Sequence, residues 1–464
     1  MLQDAPVLPP RQDTIAAIAT ATAPSGVGIV RISGPDAIFT ASCLFRPKNP
    51  LDWSQWRGYE MRYGTVLENA EAVDEAICLL FRAPKSYTGE DVVELSCHGG
   101  PVILRRVLRA ALAAGARLAA PGEFTQRAFQ NGKLDLTAAE AVLDLVSARS
   151  EQAAAAARSA RCGALREVAR ALATPLLALS AQLSAWTDYA DEEIPDLTPA
   201  EVRDAVAQAC APLADLLSRY DSGAAVTHGV TAVLSGRPNV GKSTLMNLLA
   251  GYDRSIVTAF PGTTRDAVEE TLHLGSVLLC LKDTAGIRAT DHPVERLGVE
   301  RSRAALADAQ LILLVLDASA PLTSDDFALL AACAGRPCVA VCNKSDLSRR
   351  ADLAAVRASV PRLVSLSAAT GNGLDDLRQA VEETLDTAAF DPAAAMLANE
   401  RQRDCAFRAH SALQEALSSL EDGFTLDVVQ ILVDDAIAAL LELTGERVTE
   451  AATAEIFSRF CVGK

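Results

Sequence analysis

Val230-Thr231-Ala232-Val233-Leu234-Ser235-Gly236-Arg237-Pro238-Asn239-Val240-Gly241-Lys242-Ser243-Thr244-Leu245-Met246-Asn247-Leu248-Leu249 is the stretch that decides the fold. An apolar run that reads as a strand delivers the chain to G-x-x-x-x-G-K-S, and a helical stretch follows, which is the context a P-loop requires. The glycines let successive backbone N–H groups close around phosphate oxygens, and the helix adds its positive N-terminal end. Lys242 is then placed to reach the β- and γ-phosphates, and the Ser243 hydroxyl to bind a Mg²⁺ that bridges them. Asn239, Val240, Gly241, Lys242, Ser243 and Thr244 are therefore candidate contacts to a nucleoside triphosphate. The loop alone leaves the base open, and a glycine-rich turn that binds nothing is the bland alternative.

Three further segments follow in the order a GTPase needs. Gly262-Thr263-Thr264-Arg265-Asp266 offers a threonine hydroxyl and backbone that can close over Mg²⁺ and the γ-phosphate. Asp283-Thr284-Ala285-Gly286 ends a second apolar run, Val277 to Leu281, so the carboxylate sits at a strand tip on the metal and the Gly286 N–H can sense the γ-phosphate. Asn343-Lys344-Ser345-Asp346 ends the strand Cys338 to Cys342, and the Asp346 carboxylate can accept from both N1–H and the 2-amino group of guanine. Adenine offers neither donor there. An acceptor left unpaired costs a few kcal/mol, roughly a hundred-fold or more in discrimination. Ser367-Ala368-Ala369, after the strand Leu363 to Leu366, fits the small-residue loop behind the base.

The residue after Gly286 is Ile287, where many signalling GTPases use a glutamine to orient the attacking water. An apolar side chain cannot hold water, so another group must act, and Glu295 is the nearest candidate. Its bland alternative is an ordinary acid in the first turn of a helix.

Half of the 464 residues are apolar, enough for about three domains. The formal charge of −16 gives no global basic footprint, so nucleic acid would have to bind at local patches such as Arg105-Arg106-Val107-Leu108-Arg109 or Arg401-Gln402-Arg403. Both also read as solvated helix faces. Eleven cysteines without C-x-x-C pairs argue against a disulfide framework or structural zinc and for a reducing cytoplasm. No apolar run is read as a membrane span and no signal peptide is read at the N-terminus, so a membrane partner is not expected.

Along the chain, residues 1–125 mix short strands with Gly/Pro punctuation and a helix near 102–114, an α+β domain. Residues 126–228 become Ala/Leu/Arg-rich with helical spacing. Residues 229–386 carry the nucleotide motifs, and helical periodicity returns over 387–464. The expected fold is thus α/β and α+β multidomain, with a P-loop GTPase domain inserted into a discontinuous helical domain. At the C-terminus, Phe460-Cys461-Val462-Gly463-Lys464 fits a prenylation signal poorly. Cys461 reads either as a small apolar contact or as a reactive thiol whose thiolate Lys464 would favour.

Over essentially its whole length the chain resembles the bacterial tRNA-modification GTPases of the MnmE/TrmE family. The resemblance rests on Thr14-Ile15-Ala16-Ala17-Ile18-Ala19-Thr20, Gly28-Ile29-Val30-Arg31-Ile32-Ser33-Gly34, Tyr87-Thr88-Gly89-Glu90-Asp91-Val92-Val93-Glu94, His98-Gly99-Gly100-Pro101, Pro121-Gly122-Glu123-Phe124-Thr125, Asn131-Gly132-Lys133-Leu134-Asp135-Leu136, the nucleotide motifs and the terminal Phe-Cys-x-Gly-Lys. It implies an N-terminal domain similar to folate-dependent one-carbon enzymes, which dimerises and holds 5,10-methylenetetrahydrofolate or 5-formyltetrahydrofolate through Arg31, Glu94, Lys133 and Lys464. It also implies action on tRNA with an MnmG-type FAD- and NADH-dependent partner, in a heterotetrameric or larger complex. The product would carry an aminomethyl or carboxymethylaminomethyl group on C5 of the wobble uridine, position 34. Cys461 would then be a candidate for covalent chemistry on the base.

The resemblance further implies a K⁺ ion with Asn239 as key ligand and Thr258, Phe260 and Thr263 completing its coordination, Mg²⁺ on Ser243 and Thr264, and Glu295 as the acid that orients water. Arg288 matches an arginine of the same switch. Ala21-Thr22-Ala23-Pro24-Ser25-Gly26-Val27-Gly28 departs from the family as a shorter loop without its arginine. Two classes compete: a ribosome-assembly or transport-linked GTPase, which would share the nucleotide motifs but carry an RNA-binding or membrane module in place of the N-terminal domain and the cysteine tail, and a folate-binding regulatory GTPase, whose turnover would be slow and insensitive to potassium and which would leave tRNA unmodified.

Overall fold

The computed structural model describes residues 13–50, 52–188, 198–252, 270–283 and 309–464. The chain divides into two units, one of Met1–Leu143, Arg161–Ala209 and Arg408–Lys464, the other of Asp144–Ala160 and Cys210–Phe407.

In the first unit, period-two alternation builds a sheet with one apolar face. Its strands are β1 (Ile15–Ile18), β2 (Ser25–Ser33), β3 (Phe45–Pro47), β4 (Glu60–Glu68), β5 (Glu71–Phe81), β6 (Val92–Gly99) and β7 (Arg117–Leu118), in the order β3-β4-β5-β6-β2-β1-β7. Neighbours run antiparallel except β1 and β7. Val30, Ile32, Val93, Leu95, Cys78 and Leu80 pack against Leu104, Val107 and Ala111 of α2 (Pro101–Ala113) and Ala41 and Leu44 of α1 (Ala37–Leu44). Arg31 and Glu94 are register partners on the opposite face. The segment 21–28 is only partly a loop, since β2 begins at Ser25, with a register shift between Ser25 and Gly28 opposite β6.

Two of the quoted motifs meet in a buried ionic network. Arg127 of α3 (Glu123–Gln130) has a side chain only 2% exposed and donates to Asp13 Oδ1 at 2.7 Å, Glu90 Oε1 at 3.1 Å and Glu123 Oε1 at 3.1 Å. Glu123 also accepts from Arg117 Nη2 at 2.6 Å and the Ala120 N–H at 2.8 Å. Burial pushes the Glu123 carboxyl up, but the bonds from Arg117, Ala120 and Arg127 outweigh it and hold the group below its ordinary range.

The same unit seats the C-terminus. Phe457 of α15 (Glu450–Ser458) and Phe460 pack on Leu136 and Ala139 of α4 (Leu136–Ser147). Val462 then bridges Pro121, and the Gly122 N–H donates to the Cys461 carbonyl at 3.3 Å. Gly122 has φ +66°, and a Cβ there would press on the Phe457 carbonyl.

One helix revises the expectation about apolar runs. Within α6 (Ala164–Asp188), Ala164–Trp186 is long and apolar enough to cross a membrane by length and composition, with a mean hydropathy of 1.2. Its buried residues Leu165, Ala169, Leu172, Leu176, Leu179 and Leu183 recur at helical spacing. Ser180 and Ser184 bond Asp434 and Gln430 of α14 (Leu426–Thr444) at 2.5 and 2.6 Å. These contacts make α6 a helix packed on a neighbour along one stripe. The remaining helices outside the nucleotide fold are α5 (Glu151–Arg161), α7 (Pro199–Ser218), α8 (Tyr220–Thr227) and α13 (Glu400–Glu421).

The second unit contains a six-stranded sheet of β8 (Val230–Ser235), β9 (Glu270–Leu274), β10 (Val277–Asp283), β11 (Leu311–Asp317), β12 (Cys338–Asn343) and β13 (Arg362–Ser365), in the order β13-β12-β11-β8-β10-β9. All neighbours are parallel except the edge hairpin β9–β10. Parallel strands covered on both faces read as continuous apolar runs. Leu313, Val315 and Val341 face a core with Leu245 and Leu249 of α9 (Lys242–Tyr252) and Leu377 of α12 (Leu374–Thr384). Ile312, Leu314 and Ala340 face the other, with Leu330 of α10 (Ser324–Ala332) and Val356 of α11 (Leu353–Ser359). β8 lies between β10 and β11, where the strand order reverses, and the crevice at such a switch point is where open α/β sheets bind ligands.

Glu123→Ala should lower the stability of the first unit by about 3 kcal/mol, because it leaves the buried Arg127 short of a carboxylate. All three tryptophans, Trp53, Trp56 and Trp186, lie in that unit, so urea unfolding followed by tryptophan fluorescence reads it. An unchanged midpoint would mean the network contributes nothing net.

Candidate functional site

The nucleotide motifs converge at the carboxyl ends of β8, β11, β12 and β13. Between β8 and α9, Gly236 (φ +150°) and Gly241 (φ +98°) take conformations that side chains rarely adopt, and a Cβ would run into the Val315 carbonyl at the first and the Asn343 amide at the second. Glycine is needed on both counts. Asn239 is exposed and also left-handed, at φ +66°. Val240 is buried and anchors the loop, while Ser243 and Thr244 present exposed side chains in the first turn of α9. Lys242 Nζ lies across the loop, donating to the Gly236 and Arg237 carbonyls at 2.7 and 2.8 Å.

Asn343 ties this loop to the base side of the site. It is 2% exposed, its Nδ2 donates to the Val240 carbonyl at 2.9 Å, and its Oδ1 accepts from the Ala368 N–H at 2.9 Å. Ser367 is buried and Ala369 exposed, and the turn is closed by Ser367 N–H to the Asn372 carbonyl and Gly371 N–H to the Ser367 carbonyl, at 2.9 and 2.8 Å. Lys344, left-handed at φ +62°, donates to the Asn239 carbonyl at 3.0 Å and to Asp317 Oδ2 at 2.6 Å. Asp346 is exposed beside it, its carboxylate open to a base.

Three residues of this site were not singled out in the sequence. Asp317, at the tip of β11, accepts from Lys344 and from the Ser319 N–H and hydroxyl at 2.9 and 2.6 Å. Burial raises its carboxyl, and the bonds from Lys344 and Ser319 more than reverse that, holding it below the usual carboxylate range. Arg237 donates to the buried Asp326 at 2.8 Å, and Asp326 also closes the capping box of α10 with Thr323. The signal for Asp317 was an acid ending the run Leu311 to Leu316, the same pattern that marks Asp283.

Asp283 ends β10 opposite Leu234, at the level of the P-loop strand. Thr258, Phe260, Thr263, Thr264, Thr284, Ala285, Gly286, Arg288 and Glu295 lie outside the described residues. The glycine cradle and the helix N-terminus fit a polyphosphate, and the Ser243 hydroxyl and Asn239 are oxygen donors of the kind Mg²⁺ and K⁺ take.

A second constellation lies in the first unit. Arg31 Nε donates to Glu94 Oε1 at 2.7 Å, and Arg31 Nη1 donates to the Gly463 carbonyl at 3.3 Å. The guanidinium stands 5.7 Å from the ring centroid of Tyr87 and 5.5 Å from that of Phe124. Gly463 (φ +96°) lets the terminal tail pass the Ile18 carbonyl, which a Cβ would strike. Cys461 is exposed and Lys464 half-buried on that tail. Lys133 Nζ donates to the Pro84 carbonyl at 2.9 Å, in the loop that leads to Tyr87. The structure thus joins Arg31, Glu94 and the tail, with Lys133 on the adjoining loop. A carboxylate beside cations and aromatic rings is a donor set suited to a folate, whose pterin offers N–H donors and whose glutamate is anionic.

The basic patch on α2 is largely neutralised, since Arg106 and Arg109 donate to Glu68 at 2.6 and 2.5 Å. Those bonds hold the Glu68 carboxyl at about 2. In the other patch, Arg403 stacks over Tyr220 at 5.1 Å.

Asp317→Asn should weaken GTP and GDP binding about ten-fold, equivalent to about 1.4 kcal/mol, measured by titration with a fluorescent guanine nucleotide. With its pKa depressed in the fold, Asp317 contributes fully above the ordinary carboxylate range and loses that contribution only as pH falls through the lowered value. The wild-type to variant ratio should therefore stay flat between about pH 6 and 8.

Comparison with known proteins identifies the family. Residues 14–133 match the family model described as GTP-binding protein TrmE N-terminus, and residues 136–461 match that described as MnmE helical domain. A protein of Symbiobacterium thermophilum named tRNA modification GTPase MnmE is 45% identical over 457 residues, covering 98% of this chain and 100% of its own. Proteins of the same name from Chloroflexus aurantiacus and Roseiflexus sp. strain RS-1 are 44% and 42% identical, each covering 97% of this chain and 100% and 99% of their own. With both family models matched and relatives aligned from end to end, the chain belongs to the MnmE family of tRNA modification GTPases.

Proposed function

We propose that the protein hydrolyses GTP to GDP and phosphate as part of the modification of tRNA. The observation that carries this reading is the Asn343 bridge, which sets the phosphate loop and the guanine-side loop at a common distance. Lys242 leaves the Gly236 and Arg237 carbonyls for the β- and γ-phosphates, backbone N–H groups around Gly241 hold phosphate oxygens, and Asp346 accepts from guanine. Thr284, Ala285, Gly286 and Ser367 to Ala369 complete the nucleotide contacts. Glu295 orients the attacking water, which Ile287 cannot do, and Arg288 lies in the same switch.

Ser243 and Thr264 would hold Mg²⁺, with the Asp283 carboxylate beside it. Asn239, Thr258, Phe260 and Thr263 would hold K⁺, the phenylalanine through its carbonyl. The two ions supply positive charge where negative charge develops between the β- and γ-phosphates.

In the first unit, Glu94 would accept from a tetrahydrofolate pterin while Arg31, Lys133 and Lys464 balance its carboxylates. Such a folate supplies the one-carbon unit for C5 of the wobble uridine at position 34. Carbon 5 of uracil is a poor nucleophile until another nucleophile adds at C6, and the exposed Cys461 thiol, on the tail whose Gly463 carbonyl accepts from Arg31, would be that nucleophile. The working assembly is a homodimer joined to a flavin- and NADH-dependent partner in the cytoplasm. In this reading residues 1–125 form the folate-binding and dimerisation domain, 229–386 the GTPase domain, and 126–228 with 387–464 the helical domain.

GTP turnover should be strongly faster in KCl than in matched NaCl, with no ATP turnover. Glu295→Ala should lose most of that turnover with little loss of GTP affinity, and equal rates in the two salts or normal turnover in the variant would remove the assigned roles of Asn239 and Glu295. Cys461→Ser should keep GTP hydrolysis and abolish tRNA modification, read by nucleoside mass spectrometry. Retained modification would make the thiol structural.

A further inference from the structure

The nucleotide fold joins the rest of the chain at two points. The chain enters it from α8 through His228 and Gly229 into β8, and leaves it after α12 through residues 386–398 into α13. These points are clasped to each other: His228 Nε2 donates to the Ala398 carbonyl at 2.7 Å, and the Ala398 N–H donates to Oε1 of the buried Gln402 at 2.7 Å. The hydroxyl of Ser159 in α5 donates to the Ala393 carbonyl at 2.9 Å, and Gly223 of α8 lies so near Met396 that a Cβ there would meet its methyl.

The turn of the β9–β10 hairpin touches both connections. Gly229, at φ +85°, passes the Leu278 carbonyl so closely that a Cβ would strike it. On the other side, Ser276 donates its N–H and its hydroxyl to Glu382 Oε1 of α12 at 2.9 and 3.0 Å, and Gly275, at φ +66°, leaves room for that carboxylate. The exit segment turns away from the same residue, since the Glu382 carbonyl accepts from the Thr387 N–H at 2.9 Å. Thr387 is buried, and its Oγ1 stands 3.4 Å from Ser276 Oγ. One carboxylate and one buried threonine thus fasten the hairpin turn to the chain that leaves the nucleotide fold.

The other end of the hairpin carries nucleotide motifs. The chain enters β9 after Gly262–Asp266 and leaves β10 into Asp283–Gly286. β10 is bonded along its length to β8 and to β9, so a displacement at Asp283 is carried along the ladder to Ser276. Arg378 Nη1 lies 3.9 Å from Glu382 Oε2, one turn back on α12, so the carboxylate keeps a partner if Ser276 withdraws. A charge-assisted bond that can be exchanged for another on the same helix is an element with two positions. We propose that Ser276, Glu382 and Thr387 form a nucleotide-responsive latch, closed as the structure shows it and opened when the γ-phosphate and Mg²⁺ draw on the Asp283 end of β10. The exit segment 386–398 then passes the state of the nucleotide to the chain beyond it. This rests on the reading of Asp283 as the carboxylate beside Mg²⁺.

The test is hydrogen–deuterium exchange of residues 386–398 in the full-length protein, with GDP and with a non-hydrolysable GTP analogue, each with Mg²⁺ and KCl. In the wild type these amides should exchange about ten-fold faster with the analogue. In Glu382→Ala they should exchange at the faster rate with both nucleotides, while nucleotide affinity and GTP hydrolysis stay close to wild type and tRNA modification falls. Ser276→Ala, which keeps the N–H bond, should lie between the two, and Glu382→Gln, which keeps an acceptor oxygen, should restore part of the difference. Equal exchange with the two nucleotides in the wild type, or an undiminished difference in Glu382→Ala and Ser276→Ala, would overturn the latch. If Glu382→Ala fails to fold, Ser276→Ala decides alone. Binding of the GTP analogue that Asp283→Asn leaves unchanged would instead remove the reading of Asp283, and the latch with it.

Discussion

The nucleotide site depends on one buried amide. Asn343 ends β12 and spends its side chain on two backbone groups, the Val240 carbonyl of the phosphate loop and the Ala368 N–H of the loop behind the base. An amide is suited to this because it is donor and acceptor at once. A carboxylate in its place would oppose the Val240 carbonyl, and an apolar side chain would leave both backbone groups buried and unpaired. Lys344 adds a second tie, from Asp317 at the tip of β11 to the Asn239 carbonyl. Because these ties begin on parallel strands in fixed register, the position of the loops follows from the sheet.

A comparable constraint governs the first unit, where the last residues pack against Arg31 and the sheet. The tail passes Ile18 at Gly463, bridges Pro121 at Val462 and gives its Gly463 carbonyl to Arg31. Behind it the network of Arg127, Glu123, Glu90 and Asp13 ties α3, which carries Phe124, to the loop that carries Tyr87. Isolated charges at that burial would be costly, whereas paired with three carboxylates the Arg127 guanidinium fixes α3 against the Tyr87–Glu90 loop, although its Nε is buried without a partner among the described residues. Gly122 belongs to the same arrangement, since a side chain there would displace the last helix.

Much of this was legible in the sequence. Four strands of the nucleotide fold, β8, β10, β12 and β13, were read as short apolar runs, as covered strands should be, and each of these leads into a motif whose chemistry can be named. Arg31 and Glu94 were marked through the family resemblance, and the sheet register places them side by side. Asp317, Arg237 and Asp326 were not marked: Asp317 ends an apolar run as Asp283 does but begins no nucleotide motif, and a single arginine or helix-first-turn acid carries no spacing signal. Their roles come from partners 27 and 89 residues away. The apolar stretch inside α6 was read as too short to span a membrane, and its length shows only once the helix is seen running from Ala164 to Asp188. The 21–28 segment read as a shortened loop through the family resemblance, and β6 pairs with its second half.

By itself the sequence determined the P-loop and the order of the nucleotide motifs, each encoded in residues close together along the chain, and, through many such short motifs in series, membership of a family. The tertiary structure decided which distant groups meet: Asn343 with both the P-loop and the Ala368 loop, Lys344 with Asp317, and Arg31 with a glycine carbonyl 432 residues away. The physical reason is that hydrogen bonds and ion pairs act over about 3 Å. Periodicity and motif spacing describe neighbours in the chain, and only the register of the sheets and the path of the tail bring such partners within that distance.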